Sequence, residues 1–572
     1  MDYRSGRWAL KLRIQVGPQK IAHPGFEGTA SFSPDGMQVA FSWCRYEGTP
    51  LWNPAYRNIC NIYIKQIGVE PPYRLTETAA KEFSPAWSPD GKWIAFLRLV
   101  SSTRFSLIRI PQRGGRERVV LEYDLSENPN MPQGPHLAWT PDSKWLVCAT
   151  PGTPAWVLSL VSPETGEKRV LTKPLQTDLG DTAPAISPDG RTLVFSRYEG
   201  KYNLHKLSLG EQYAPLGEPK RLRSTDAQNV GLAWLPDGSE IVFASGFAGE
   251  GGLWRTSASG GAEPQRLPFA PEFAAEPAIS RRNDRLAYTA YRTDSNIWRV
   301  ELVGPGRKPA APEPVVISTK PDGQPTFSPD GSKVAFVSGR SGTPEVWLCD
   351  RDGSNPHQLT SFGGMGFDGP QWSPDGQHIA LRVYAEDEQK LAIISAKNGA
   401  LRVLSLPGGG KWPSWSPDGQ WLYFASTRRP VAIWKIPTGG GAPVQITPGP
   451  DDDMPQPSAD GTFLYYSKGW PGPFSIWRIP VDGGKMTKII DGVSPNGQWT
   501  VGIDGIYFFA TPDAKGRSEI QLYEFATGRT KKILTVERTI GTRIVVSPDG
   551  RTILYPQIDE QGSDLMLVEN FH

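Results

Sequence analysis

Five carboxylates recur at one place in a repeated phrase of this 572-residue chain. Glu27, Glu82, Asp181, Asp322 and Asp452 each stand five positions before the residue that precedes a Ser-Pro-Asp-Gly-like turn, and Asp451 and Asp453 flank the last of them. If the repeats carry equivalent positions around one axis, Glu27, Glu82 and Asp181 form one acidic rim, and Asp322, Asp452 and Asp453 form a second. Such rims suit a hard cation such as Ca²⁺, which takes oxygen ligands, or a basic peptide. A structural role competes with this one. Carboxylates at the start of a strand also accept hydrogen bonds from backbone N–H groups of the preceding loop and hold the turn.

The other reactive side chains show no catalytic pattern. A nucleophile elbow needs G-x-S-x-G, and Gly339-Arg-Ser-Gly-Thr343 lacks the final glycine in register. The six histidines, His23, His136, His205, His357, His378 and His572, fall at unrelated places in the repeat without HxH or HxxxH spacing, so each is expected on the surface or in a turn. The four cysteines form no CxxC pair. Cys44 and Cys60 fall on neighbouring strands and are expected as buried free thiols. No catalytic residue, metal ligand or cofactor is expected, apart from Ca²⁺ at the acidic rims.

The elements that position these residues come from the repeat itself. Twelve turn aspartates, from Asp35 through Asp90, Asp142 and on to Asp549, are spaced between 42 residues (Asp418 to Asp460) and 55 (Asp35 to Asp90). A period of roughly 40 to 50 residues with several short strands is the pattern of a β-propeller blade. In the turn, Pro presets the backbone for the second position and Gly takes the left-handed fourth, which closes a hairpin between strands A and B. The residue before the turn is large and apolar in most copies, as in Phe32, Trp87, Trp139, Trp234 and Trp415, so it belongs to the core. Runs such as Ile433-Trp-Lys-Ile-Pro437 alternate apolar and polar residues and read as strand C. Gln358-Leu-Thr360 and its kin read as strand D. The fold class is therefore all-β, with tandem propellers of four-stranded blades.

The chain ends suggest how the rings close. Gln19-Lys-Ile-Ala22 looks like a lone D strand, and Asp564-Leu-Met-Leu-Val568 looks like a C strand at the other end. We expect a basic stub over 1–17, a first six-bladed propeller over 18–303, a Pro/Gly-rich linker over 304–314 and a second six-bladed propeller over 315–572. In that scheme Gln19–Ala22 completes the blade begun near Asn283, and Val315–Ser318 completes the last blade, so that no sheet edge is left bare. The alternative makes Gly304–Pro314 a long C–D loop like Gly210–Pro219. Seven-plus-five and single-ring partitions also remain open.

Composition narrows the partners. With 61 Lys and Arg against 59 Asp and Glu the net charge is +2, which provides no global field for nucleic acid. The 61 glycines and 55 prolines are spread in register with the repeat, against a disordered chain. The first twenty residues are basic without the apolar run of an export signal, and no stretch reaches the roughly 18 apolar residues of a membrane helix.

The Ser-Pro-Asp-Gly hairpins with their Ile-Trp and Leu-Thr strands resemble the Pro-Asp, WD40-like repeats of TolB-type propellers, from about Gln19 to Phe571. The arrangement also resembles bacterial regulators in which a winged-helix DNA-binding domain and one membrane helix precede a Pro-Asp propeller array. Pro24-Gly-Phe-Glu-Gly28 and Asp564–Phe571 carry that likeness, which implies the sensor half of a signalling system without its winged helix. The function expected is a non-enzymatic scaffold for a protein or peptide partner or for ligand sensing, with no direct nucleic-acid binding and no membrane span. The alternative is a propeller enzyme, a polysaccharide lyase or peptidase-associated propeller, with a site assembled from several blades. The expected location is the cytoplasm for the chain as it stands, or the periplasm if an anchor precedes it.

Overall fold

The structure, a computed structural model, describes residues 19–20, 26–44, 59–101, 104–124, 136–153, 155–174, 179–199, 202–223, 231–245, 251–261, 263–304, 308–363, 367–385, 388–406, 408–428, 430–469, 474–494, 499–513 and 517–572. The basic stub, His23, Pro24 and the middle of the 304–314 segment lie outside these residues. Strands make up nearly all of the regular secondary structure among the described residues, and the helical element among them is a 3-10 turn at Glu211–Tyr213. No helix is long and apolar enough to cross a membrane among the described residues.

Each hairpin is built by the turn that the repeat supplies. Gly36, at φ +69°, donates its N–H to the Ser33 carbonyl at 2.8 Å. The Ser33 hydroxyl donates to Asp35 Oδ1 at 2.5 Å, and that oxygen also accepts the Met37 N–H at 3.0 Å. Serine and aspartate thus answer the amides that a tight turn leaves without partners. The same set recurs at Ser416 with Asp418 and at Ser547 with Asp549. The aromatic before the turn ties sheet to sheet. Trp139, Trp234 and Trp415 donate their indole N–H to the carbonyls of Ala86, Ala185 and Gln371 in the preceding inner strands, at 2.9, 3.0 and 3.0 Å.

Eight four-stranded antiparallel sheets follow one another in chain order among the described residues, together with one larger sheet. The chain divides into two compact units. The first takes the N-terminal half to Arg292 and also Gly562–His572, and the second runs from Thr293 to Gln561. The strands named below are β1 (Gln19–Lys20), β2 (Phe26–Phe32), β3 (Gln38–Cys44), β4 (Cys60–Gln66), β5 (Ala274–Ile279), β6 (Leu286–Val303), β7 (Glu313–Val316), β8 (Val545–Val546) and β9 (Thr552–Val568).

The closing sheets differ from the sequence expectation. β6 is one 18-residue strand with no turn in it, so its two halves serve different units. In the first unit its opening half pairs with β5, the end of β9 lies next to it, and β1 pairs with that end through Gln19 and Leu567. In the second unit β8 pairs with the start of β9, and the far half of β6 pairs with β7 through Ile297 and Val316. The boundary therefore falls inside β6, not at residue 303, and the C strands at Asn296–Val300 and Asp564–Val568 serve the units opposite to those expected. Of the segment expected as a linker, Lys308–Pro309 pairs back onto the end of β6 and Glu313–Pro314 belongs to β7. Burial agrees, since Leu565, Leu567, Val568 and Phe571 join the core of the first unit while Val300 and Leu302 join that of the second.

The cysteine expectation is corrected as well. Cys44 and Cys60 face each other across β3 and β4 and form a disulfide, whereas Cys148 and Cys349 are buried free thiols. Direct cross-strand opposition brings the two sulfurs together, which chain separation alone does not reveal.

Candidate functional site

The acids at the start of the inner strands are buried and answered by partners of their own. Asp181 takes Arg197 through two bonds, Nε to Oδ1 at 2.7 Å and Nη2 to Oδ2 at 2.9 Å. Asp322 accepts both contacts of Arg340 Nη2 at 3.0 and 2.9 Å. Glu82 accepts Arg98 Nε at 2.8 Å and the Thr78 hydroxyl at 3.0 Å. Asp452 pairs with Lys468 at 3.1 Å and takes the Gly449 N–H at 3.1 Å, while Glu27 takes the Leu565 N–H at 2.8 Å. All five side chains are at most 1 % exposed. Asp453, one residue on and so on the opposite face of its strand, pairs with Lys411 of the neighbouring sheet at 2.5 Å. Each carboxylate is spent on its own base or amide, and no group of three or more metal-ligating side chains occurs among the described residues. The five acids at offset five are thus buried beside partners of their own, and Asp453 is paired across to the neighbouring sheet.

What the inner strands do present is a repeated irregularity. Three positions before the aromatic or its equivalent, the backbone turns left-handed without glycine at Thr29 (φ +41°), Ser84 (+53°), Ala183 (+49°) and Glu276 (+53°) in the first unit. Gln324 (+53°), Trp412 (+55°) and Met454 (+53°) do the same in the second. The pairing register shifts at each of these places, so each is a β-bulge. A β-branched residue such as Thr29 at positive φ is a genuine outlier, worth of order 1–3 kcal/mol of strain.

In the first unit the bulges form a chain of hydrogen bonds from strand to strand. The Thr29 N–H donates to Glu276 Oε2 at 2.6 Å, the Ser84 N–H to Thr29 Oγ1 at 3.2 Å, and the His136 N–H to Ser84 Oγ at 3.4 Å. His136 Nδ1 then meets Thr182 Oγ1 at 3.2 Å. Of these residues Thr29, Ser84 and Glu276 line a cavity of about 230 Å³ on which six inner strands converge. Each strand contributes one alanine, namely Ala30, Ala86, Ala138, Ala185, Ala233 and Ala278. Converging strands leave room only for small side chains there. The turn prolines, such as Pro34, Pro89 and Pro236, line it together with Arg281.

Electrostatics set the state of these groups. Burial raises the Glu276 carboxyl above its ordinary value against the pull of the Thr29 amide, Thr289 and Tyr291. Burial also lifts the Tyr291 hydroxyl far up, with the Glu276 charge adding to it. His136 is pushed down to about 3 by burial, with the Lys81 charge acting in the same direction, so it is neutral. His136 and His205 are both buried, which corrects their expected surface positions: His205 lies within the strand Tyr202–Ser208 and His136 directly precedes the strand Leu137–Trp139.

Comparison with known proteins follows the same lines. Residues 310–494 and 348–570 match the family described as the TolB beta propeller domain. The second half of the chain is TolB-like. A protein named TolB homolog from Chlorobium chlorochromatii is 39 % identical over 69 residues, 12 % of this chain and 16 % of its own length. Putative tricorn protease homolog 2 from Streptomyces coelicolor is 39 % identical over 108 residues, 18 % of this chain and 9 % of its own length. The matched stretches thus span less than a fifth of these relatives. A solved structure of putative TolB from Agrobacterium tumefaciens aligns over 47 % of this chain and 99 % of its own, at 21 % identity and a TM-score of 0.40.

In the first unit, Thr29, Ser84, His136, Thr182 and Glu276 went unread in the sequence. Their only common mark is an offset of three or four residues from the pre-turn aromatic, on side chains that share no chemistry. The acids at offset five were conspicuous because they share one.

Proposed function

We propose that the chain is a non-enzymatic propeller scaffold that binds a protein or peptide partner at the proline-lined mouth of its first unit. Two six-bladed rings belong to this proposal, supported in the first unit by the six inner strands that converge on one cavity. The observation that carries it is the state of Glu276. It is the only carboxylate lining that cavity, and it is already held by the Thr29 amide, Thr289 at 3.0 Å and Tyr291. A general acid or base needs a free proton position near a substrate. A satisfied carboxylate in a wall of alanines suits binding rather than turnover.

The disulfide between Cys44 and Cys60 supports a location outside the reducing cytoplasm, since such bonds persist in oxidising compartments. An enzymatic role draws its support from the stretch shared with the tricorn protease homologue. Among the described residues the nearest approach to a nucleophile–base pair is Thr182 with His136. That pair is buried, and a lysine rather than a carboxylate acts on the histidine. The likeness to winged-helix regulators draws no support from the inner-strand geometry.

The test is site-directed cross-linking of the intact chain in its own cells, with a photoreactive residue at Pro89 or Arg281. A discrete adduct from these positions, missing when the label sits on an outer strand, is expected. Turnover of peptides or acidic polysaccharides by the pure chain, lost in Thr182→Val or Glu276→Gln, would overturn the proposal.

A further inference from the structure

The inner strands of the second unit carry one charge that its surroundings leave unanswered. Arg543 stands three positions before the end of β8 with φ +78°, the bulge position held by Gln324, Gly369, Trp412 and Met454 in the other inner strands. It is half-buried, its Nη1 is shielded from solvent without a hydrogen bond, and it makes no hydrogen bond or ion pair among the described residues. Buried charges are normally paired, and an unpaired one calls for an explanation. The acid that acts on it, Asp368, is taken already. Arg382 Nε donates to Asp368 Oδ1 at 2.8 Å, its Nη2 holds the other oxygen, and the Tyr384 hydroxyl reaches that oxygen at 3.4 Å. Lys411 and Asp453 likewise neutralise each other.

Beside it Gly369 leaves a methyl-sized space: a methyl group there would stand in ordinary van der Waals contact, 3.7 Å from Arg543 Nη1 and 3.7 Å from Trp412 Cε3. Arg382 lies over the same indole at 5.6 Å, and Met454 packs in the apolar cluster that Trp412 joins. A flat, forked cation beside an aromatic face fits a planar carboxylate with an apolar neighbour.

We propose that Arg543 anchors a carboxylate-binding site in the second unit, which takes the terminal carboxylate of a peptide whose last side chain lies against Trp412. The balance of one guanidinium left over after Asp368 and Arg382 pair matches a single negative charge. The binding arginine is held near its ligand by backbone strain at φ +78°, and burial lowers its proton affinity to about 10, so it stays charged at neutral pH. The proposal deepens the peptide-binding function above and rests on it.

The experiment is calorimetric titration of the full chain with acetyl-Ala-Ala-Phe carrying a free C-terminus, the same peptide as its C-terminal amide, and inorganic phosphate. The acid should bind about tenfold or more tightly than the amide, as expected when a charged two-point contact is lost. Arg543→Met should bring the acid down to the level of the amide, and Arg543→Lys should give an intermediate affinity, while Arg402→Met on an exposed outer strand leaves the difference intact. Equal binding of acid and amide by the unaltered chain overturns the site and leaves the scaffold standing. Discrimination that survives Arg543→Met, or is lost equally in Arg402→Met, overturns it too. Phosphate bound in place of the acid overturns the carboxylate assignment. If Arg543→Met does not fold, the acid–amide comparison and Arg543→Lys decide alone. Failure of the cross-linking test with acid–amide discrimination intact would instead count against the mouth of the first unit.

Discussion

The backbone amide of Thr29 donates to the carboxylate of Glu276 at 2.6 Å, across 247 residues of chain. That single bond joins the first and the last inner strand of the first unit, and the strained backbone at both residues is held in place by it.

Its acceptor should make stability depend on pH. Burial sets the Glu276 carboxyl above its unfolded value of 4.5, so its contribution is fully present below pH 4.5 and is lost as pH rises through the raised value. Denaturant midpoints of the unaltered chain should therefore fall relative to those of Glu276→Gln as pH rises from 4.5 through the raised value, and the gap should level off above it. Parallel curves for the two proteins would show that the carboxyl titrates normally.

The turn aspartates act in the opposite sense. Asp35, Asp189, Asp330, Asp375, Asp418 and Asp460 are held below 3.8, chiefly by the serine hydroxyl two residues before each, and Asp330 reaches about 2. Depressed acids stabilise above the unfolded value of 3.8 and lose that contribution as pH falls through the folded values. Acid unfolding should take up protons at these turns, and Ser328→Ala should move the acid midpoint upward. Near-ultraviolet circular dichroism followed from pH 5 to pH 2 reads both.

Asp322 and Asp452 give a cleaner distinction between holding and binding. Removing one member of a buried pair leaves its partner uncompensated, so Asp322→Asn or Asp452→Asn should cost roughly 3 kcal/mol in urea unfolding. Millimolar Ca²⁺ should leave the melting temperature of the unaltered chain unchanged. A calcium-dependent rise that vanishes in both variants would restore the acidic rims.

The disulfide is open to direct chemistry. Alkylation of the unfolded, unreduced chain should add two groups, at Cys148 and Cys349, and four after reduction, as intact mass reports. Replacing Cys44 and Cys60 together by Ala should cost about 3 kcal/mol, the scale for a loop of some fifteen residues.

The repeat and its turn chemistry were legible because Pro, Asp and Gly have fixed backbone uses, and the pre-turn tryptophans could be placed in the core from their spacing. The exchange at β6 was not. Asp294-Ser-Asn296 has the composition of a turn yet runs extended inside one strand, since pairing on both sides outweighs local preference. The acids at offset five caught attention through shared charge, but the bases of Glu82, Asp181, Asp322 and Asp452 sit 16 to 18 residues on, where only register reveals them. Arg543 had no signal, because one bulge residue differs from its equivalents merely in type.

The path of β9 gives the molecule a calendar. The first unit lacks a strand until Gly562–His572 has been made, although nearly all of it has left the ribosome long before. At roughly 5–20 residues per second, the interval between the synthesis of Arg292 and that of Gly562–His572 is of the order of tens of seconds, during which an incomplete sheet waits with its edge open. The first unit is thus closed by a segment made only after most of the second.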